Sequence, residues 1–254
     1  MPRQVLSFFA LSFAWTWAFQ IPVALGILRP ALVVPMLALG AVGPSLAAMV
    51  IAWSRGELRG LFRRRGRTRG QWYLTAVCVP PLLLALAAAA ALSFGAAPPA
   101  RWFVAPMVGA IALPAIGEEL GWRGYAYPRL ADRYGGLRAA VGVAVLWALW
   151  HLPTAFFGGA DLLEFIPFAI AVVGAGVWLA WLYERAGRSV YIAIIAHAAI
   201  NARFIALPAG PEAKTAWVIL NVALGIACGL SLAGHKREHP PRAQGKEPSF
   251  AKAQ

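Results

Sequence analysis

The chain alternates between long apolar runs and short segments that hold most of its charged residues. Each run is roughly 20 residues long, the length that an α-helix needs to cross the hydrocarbon core of a bilayer. The runs do not alternate apolar and polar residues as barrel strands do, and lipid excludes open sheet edges. The pattern therefore predicts an all-α, polytopic transmembrane helical bundle of about eight spans, near residues 5–28, 31–53, 71–95, 102–122, 139–157, 163–183, 189–207 and 214–233.

The arginines predict how this bundle is oriented. The formal net charge is +13, and the basic residues fall between the apolar runs rather than on one soluble domain. Positively charged connections stay on the cytoplasmic side of a membrane. The arginines are therefore interpreted as a topology signal rather than as a nucleic-acid-binding surface. They predict a multi-pass protein of the inner (cell) membrane with both termini in the cytoplasm. The basic regions are 55–69, 123–138, 184–188 and the C-terminal tail, and the arginine-poor connections are 29–31, 96–101, 158–162 and 208–213.

Composition supports one membrane domain, residues 1–234, followed by a basic tail, 235–254, that we expect to be disordered. Hydrophobic residues make up 60% of the chain and charged residues only 13%, whereas soluble domains carry about 25% charged residues. Cys78 and Cys228 lie inside apolar runs without metal-site spacing, so no disulfide framework is indicated. The expected partner is the lipid bilayer, and no nucleic acid is expected.

Two adjacent glutamates, Glu118 and Glu119, end the fourth apolar run. Ionisable residues at membrane depth are rare and usually functional. Neighbours on a helix point about 100° apart, and Arg123 follows Glu119 at the spacing at which helical side chains meet. We therefore expect Glu119 to pair with Arg123 and Glu118 to face a cavity, where an apolar setting makes a carboxylate a stronger base. Pro114 is expected to bend this helix. The alternative is an interfacial charge cluster in which Arg123 reaches the headgroups.

Three further polar residues lie inside later apolar runs. His151 follows a tryptophan-rich run, and His197 and Asn201 are four residues apart and so share one helix face. A histidine can share a proton or bind a metal, and an asparagine amide can donate to an oxyanion. Each alone is explained by interfacial placement or helix–helix hydrogen bonding, but together with the glutamates they indicate a buried hydrolytic site. No HExxH, GxSxG or P-loop motif is present.

These residues resemble the three motifs of the CAAX-prenyl-protease and bacteriocin-processing family of intramembrane proteases, called CPBP or Abi proteins. The resemblance covers about residues 100–205. The motifs are EExxxR at Glu118, Glu119 and Arg123, an aromatic run from Trp147 to His151, and HxxxN at His197 and Asn201.

The resemblance implies an intramembrane endopeptidase in which Glu118 activates water. It assigns water holding to His151 and His197, oxyanion stabilisation to Asn201, and support of the site to Glu119 and Arg123. Zn²⁺ held by Glu118, His151 and His197 is one scheme, and metal-free activation of water by the same residues is the other. Both stay open.

The predicted substrate is a membrane-associated peptide or a lipid-modified protein. The alternative is a non-enzymatic scaffold or immunity protein that keeps a protease-like fold. A proton-coupled transporter is disfavoured, because the polar residues are expected at the cytoplasmic ends of spans four, six and seven rather than along a crossing path.

Overall fold

The computed structural model describes residues 1–95, 107–159, 161–208 and 210–234, and within these ranges every regular element is helical. The chain is a polytopic helical bundle, as the apolar runs predicted. The tail 235–254 and the greater part of the third connection, 96–106, lie outside the described residues.

The N-terminal part contributes three spans. Val42 interrupts the second of them, because Gly43 and Pro44 begin a new helix immediately after it. A short 3₁₀ helix, Leu58–Phe62, lies in the arginine-rich loop. The helices are α1 (Arg3–Ala24), α2 (Pro30–Ala41), α3 (Gly43–Ser54) and α4 (Gly70–Ser93).

The C-terminal part carries the motif residues. A single π-helical turn, Trp122–Ala126, joins α5 to α6, and a 3₁₀ helix, Leu152–Gly159, follows α7. The helices are α5 (Met107–Gly121), α6 (Tyr127–Tyr134), α7 (Gly136–Trp150), α8 (Leu162–Arg185), α9 (Val190–Asn201), α10 (Arg203–Ala206) and α11 (Pro211–Gly234).

Among the described residues, five helical segments are long and apolar enough to cross a membrane: α1, α2 with α3, α4, α8 and α11. The helices that carry the motifs are shorter, with 15 residues in α7 and 12 in α9. α7 packs against the long helix α8. α9 packs against the long helix α4 and against α5, which also carries a motif. A helix can end at membrane depth where its free backbone groups are buried in protein or line a cavity. The expected spans are therefore present as helical units, but the motif helices stop short of full length.

The fourth span was expected to end near residue 122, with 123–138 as an interfacial helix or loop. This is wrong for residues 123–126, because the π turn continues the helix from α5 into α6. Arg123 is only 1% exposed and lies inside the bundle, which also rules out the alternative of Arg123 at the headgroups. The charged residues at the interface are those of α6, such as Asp132 and Arg133.

Three of the four basic regions meet at one end of the bundle, here called the basic face (loop 55–69, α6 and the turn 186–189). The Arg65 backbone N–H donates to Gly187 O at 2.6 Å. Arg129 pairs with Glu57 at 2.7 Å, and its hydrogen bond holds the pKa of that carboxyl below its usual value. Arg188 pairs with Asp132 on α6.

The last turns of α11 reach the same end, because Arg185 donates to Ser231 at 2.9 Å. The basic regions were expected to share one side of the membrane, and the described ones do meet at one end of the bundle. That this side is the cytoplasm stays a prediction from the positive-inside rule.

Glycines bring α5 unusually close to the α2–α3 break. A Cβ on Gly121 would lie 2.5 Å from Pro44 O, and one on Gly117 would lie 2.6 Å from Ala41 O. Ser45 reaches across to donate its hydroxyl to Ile116 O at 2.9 Å. Small residues permit such close helix contact in membranes, and here they fix the helix turn that carries both glutamates.

Candidate active site

Glu118 lies in the last turn of α5 and is 3% exposed. Its Oε2 atom accepts a hydrogen bond from Trp147 Nε1 at 2.5 Å and another from Trp122 Nε1 at 3.4 Å. Both hydrogen bonds that the structure describes at this carboxylate go to Oε2, so Oε1 is the atom left to meet a water or a substrate. Two indole donors hold the group without neutralising it.

Glu119 points elsewhere, into a fully buried ion pair. Its Oε1 accepts from Arg123 Nη1 at 2.7 Å and from His197 Nδ1 at 2.8 Å. Arg123 also donates through Nη2 to Gly176 O on α8 at 3.1 Å. The pairing expected from the spacing of four is confirmed, and the same carboxylate oxygen also holds His197. The group joins α5, α8 and α9.

Hydrogen bonding sets the tautomer of both histidines. His151 Nδ1 lies 2.8 Å from Trp147 O, and a carbonyl oxygen can only accept, so this nitrogen carries the proton. His197 Nδ1 meets the ion-paired oxygen of Glu119 and donates in the same way. When either ring is neutral, its Nε2 then carries the lone pair. Each imidazole can accept a hydrogen bond from water.

Trp147 lies between the two histidines as well as beneath Glu118. Its ring centroid is 5.6 Å from that of His151 and 5.1 Å from that of His197. His151 itself caps α7 and contacts Trp150 and Phe168 on its other sides. One side chain of α7 thereby sets the spacing of three polar groups that come from three helices.

Four predicted residues line one cavity of about 260 Å³: Glu118, His151, His197 and Asn201. The two predicted supporting residues, Glu119 and Arg123, are not part of the lining and lie behind His197 and Trp147. The sequence-based division between a cavity-facing and a paired glutamate therefore matches the geometry. The cavity has further polar lining from Gln20, Thr154, Arg203 and Asn221.

The cavity lies inside the bundle, away from the basic face. Trp147 is 11 positions after Gly136, the first residue of α7 at the basic face. At 1.5 Å per residue that is about 16 Å along the helix. That the polar residues lie toward the cytoplasmic ends of their spans stays a prediction from the charge pattern.

Several residues at the site were not predicted as site residues from the sequence. Trp122 could have been paired with Glu118 from its spacing of four. Trp147 was recognised only as part of an aromatic run, and its donation to a residue 29 positions away depends on how α5 packs against α7. Gln20 and Arg203 come from elements outside the motifs and meet the site only in the folded bundle.

The described residues do not gather a group of three histidine, cysteine, aspartate or glutamate side chains that could hold a metal ion. Glu118, His151 and His197 share the cavity, and each keeps one atom free of the protein hydrogen bonds described above, but they do not form such a group. Zinc at these residues therefore does not fit this arrangement as it stands. It remains a prediction from the resemblance, and the chemistry below is derived without it.

The segment that carries the motif residues is similar to known proteases. Residues 99–203 match the sequence model of the family described as type II CAAX prenyl endopeptidase Rce1-like. This segment is therefore similar to the CAAX-protease (CPBP) family whose motifs it resembles. A curated relative, the CAAX prenyl protease 2 of Methanococcus maripaludis, is 32% identical over 104 residues.

The CPBP match covers the segment that holds all three motifs, from before α5 to α10. The alignment with the curated relative spans 38% of this chain and 38% of the relative. The first three spans and α11 lie outside the matched segment. The similarity is thus confined to the part of the bundle that builds most of the cavity.

Proposed function

We propose that the protein is an intramembrane endopeptidase that hydrolyses a peptide bond of a membrane-associated or lipid-modified protein with water activated by Glu118. The observation that carries this proposal is the pair of environments at Glu118 and Glu119. The Glu118 carboxylate accepts hydrogen bonds from two indole N–H groups and faces the cavity. The Glu119 carboxylate lies behind it and is neutralised by Arg123. The CPBP match of the same segment supports a protease.

Glu118 acts as the general base in this scheme. A water in the cavity donates one hydrogen to Glu118 Oε1 and the other to an imidazole Nε2. As the water oxygen bonds to the peptide carbonyl carbon, its proton passes to Glu118. When the carbon–nitrogen bond breaks, Glu118 returns that proton to the leaving amine. A carboxylate in an enclosed, weakly solvated site suits both steps.

Asn201 is assigned to the oxyanion. It lies one helical turn after His197 on α9 and lines the same cavity. As the tetrahedral intermediate forms, its amide N–H donates to the carbonyl oxygen that gains the charge, which is the stage at which such a donor lowers the barrier. The hydrogen bond from His197 Nδ1 to Glu119 keeps the ring oriented so that Nε2 can accept from the water.

The proposed localisation is the inner membrane, with the cavity reached from within the bilayer or from one of its faces. A cavity of about 260 Å³ admits a few residues of an extended peptide rather than a folded domain. This favours an unfolded or terminal segment of a substrate that is already at the membrane.

The decisive experiment compares peptide termini in membranes and medium from cells that express the wild type, Glu118→Gln or Glu212→Gln at equal levels. Glu212 is an exposed glutamate in the first turn of α11 and serves as the matched control. Termini that are lost in Glu118→Gln but kept in Glu212→Gln would identify the substrate and the cleaved bond.

Identical termini in all three strains, with the wild-type phenotype retained, would contradict the proposal. That result would favour the non-enzymatic scaffold or immunity protein instead.

A further inference from the structure

Arg203 lies where the catalytic cavity meets a second cavity. It is the first residue of α10, two positions after Asn201. It lines the cavity that holds Glu118 and also a neighbouring one of about 410 Å³. Phe168, Ala171, Phe204 and Trp217 line both as well, so the two cavities share the wall that holds Arg203.

The charge of Arg203 is not neutralised within the described part of the chain. No ion pair or hydrogen bond there involves its side chain, whereas Arg123 in the same bundle has both. Its guanidinium instead stacks on aromatic faces, with Cζ 4.0 Å from the Phe204 ring centroid and 5.1 Å from that of Phe168. Such contacts hold a cation in place without cancelling its charge.

The second cavity adds positive character around this group. Lys214 lines it, as does Pro211, the first residue of α11, where the helix dipole contributes partial positive charge. Glu164 is the one acidic residue among its described lining, and it forms no ion pair with Arg203 there. A partly buried arginine without a counter-ion among the described residues is costly, and a ligand carboxylate would offset that cost.

We propose that Arg203 is a specificity-determining residue that binds a carboxylate of the peptide substrate while the scissile bond lies at Glu118. This inference rests on the proposed endopeptidase function and names the substrate chemistry. The planar guanidinium matches a carboxylate in bidentate geometry. The carboxylate is either the C-terminal one or that of an acidic side chain beyond the cleaved bond, and both present the same group.

The test measures binding to purified full-length protein in phosphatidylcholine nanodiscs, in the Glu118→Gln background so that no peptide is consumed. The probes are three forms of one dansylated apolar hexapeptide: a free C-terminal acid, a C-terminal amide, and an amide with one internal glutamate. We expect one acidic form to bind about tenfold or more tightly than the neutral amide. Which acidic form is preferred identifies the source of the carboxylate.

Variants assign that preference to Arg203. Arg203→Met is expected to bind all three peptides equally, and Arg203→Lys to keep part of the preference. Arg133→Met is the matched control, since Arg133 also stacks on its neighbouring tyrosine but lies on α6 outside the cavity. It should keep the full preference. Retained binding of the neutral amide by Arg203→Met would show that its cavity is folded.

Equal binding of acid and amide by the parent protein, including no measurable binding of either, would overturn the proposal, as would a preference that survives in Arg203→Met. A preference abolished by phosphatidylglycerol in the nanodisc would assign Arg203 to a lipid headgroup and overturn it too. The two proposals fail separately. Termini lost in Glu118→Gln without a carboxylate preference would refute only the role of Arg203, and an Arg203-dependent preference without any cleavage would refute only the endopeptidase.

Discussion

Two adjacent glutamates have opposite surroundings because successive helical residues point about 100° apart. Glu118 receives two indole N–H groups and faces the cavity. Glu119 is held by Arg123 and His197 inside the bundle. A base must be able to take up a proton, and a carboxylate already tied to a cation is poor at this. These surroundings support the proposed role of Glu118 as the catalytic base and that of Glu119 in orienting His197.

Trp147→Phe should lower the rate of peptide cleavage roughly 10- to 100-fold, because it removes one hydrogen bond to a charged group while keeping an aromatic ring between the histidines. The measurement is the rate at which the new terminus appears in membranes with equal protein levels. Trp181→Phe is the control, since its Nε1 donates to Ser231 near the basic face. An unchanged rate in Trp147→Phe would show that this hydrogen bond does not tune Glu118.

Glu119→Leu should lower the thermal unfolding midpoint strongly, because it leaves Arg123 buried and unpaired at a cost of about 3–5 kcal/mol. The double variant Glu119→Leu with Arg123→Met should recover most of that stability, because neither charge remains to be buried. It should stay inactive, because His197 has lost its acceptor. Thermal unfolding in detergent and a cleavage assay separate the two effects. A single variant as stable as the wild type would mean that the ion pair contributes little.

At the scale of the elements, short motif helices meet at the cavity while long helices surround them. α7 ends at His151 and α9 ends at Asn201, so both helix ends point their last polar residues into the same space. α5 does not end there but passes through a π turn, a feature that often marks functional sites. The close approach of α5 to the α2–α3 break through Gly117 and Gly121 fixes the position of the glutamates in the bundle.

Gly121→Ala should lower both the unfolding midpoint and the cleavage rate. Its added Cβ would lie 2.5 Å from Pro44 O, so α5 would have to move away from α3 and carry Glu118 with it. Gly142→Ala in α7 is the matched control, because nothing lies within 4 Å of its added Cβ. It should be neutral or stabilise by about 0.5–1 kcal/mol through helix propensity. Equal effects of the two alanines would show that the close approach is not needed.

For the whole molecule, the contacts of the basic face unite segments far apart in the chain. Loop 55–69 bonds to the turn after α8, α6 pairs with the same turn, and α8 bonds to the last turns of α11. Exposed arginines at one end of a bundle keep that end in the cytoplasm. We therefore expect the basic face to orient the bundle, with the cavity about 16 Å away from it along α7.

A cysteine placed at Arg64, on the basic face, should react with a membrane-impermeant maleimide only after the cells are opened, because we expect this face in the cytoplasm. A cysteine placed at Ile27, exposed in the connection after α1, should react in intact cells. Both are made in a Cys78→Ser, Cys228→Ala background. The reverse labelling pattern would invert the topology and place both termini outside.

The sequence by itself determined the membrane class, the helical units and the motif residues. These depend on local properties: the length of each apolar run, the position of charges between runs, and spacings of four within one helix. The pairing of Glu119 with Arg123 was predictable for this reason. The extent of the fourth span was not, because the π turn lets a helix continue where a charge cluster suggested its end.

Tertiary structure decided which groups each motif residue meets. Trp147 reaches Glu118 across 29 positions, and His197 reaches Glu119 across 78. Arg203 lines the cavity because α10 follows α9 there, and among the described residues it forms no ion pair although Glu164 lines the neighbouring cavity. Such contacts depend on the depth and rotation of each helix in the bundle. Close helix contacts at glycines and buried ion pairs set that depth and rotation, and the sequence of one apolar run does not contain this information.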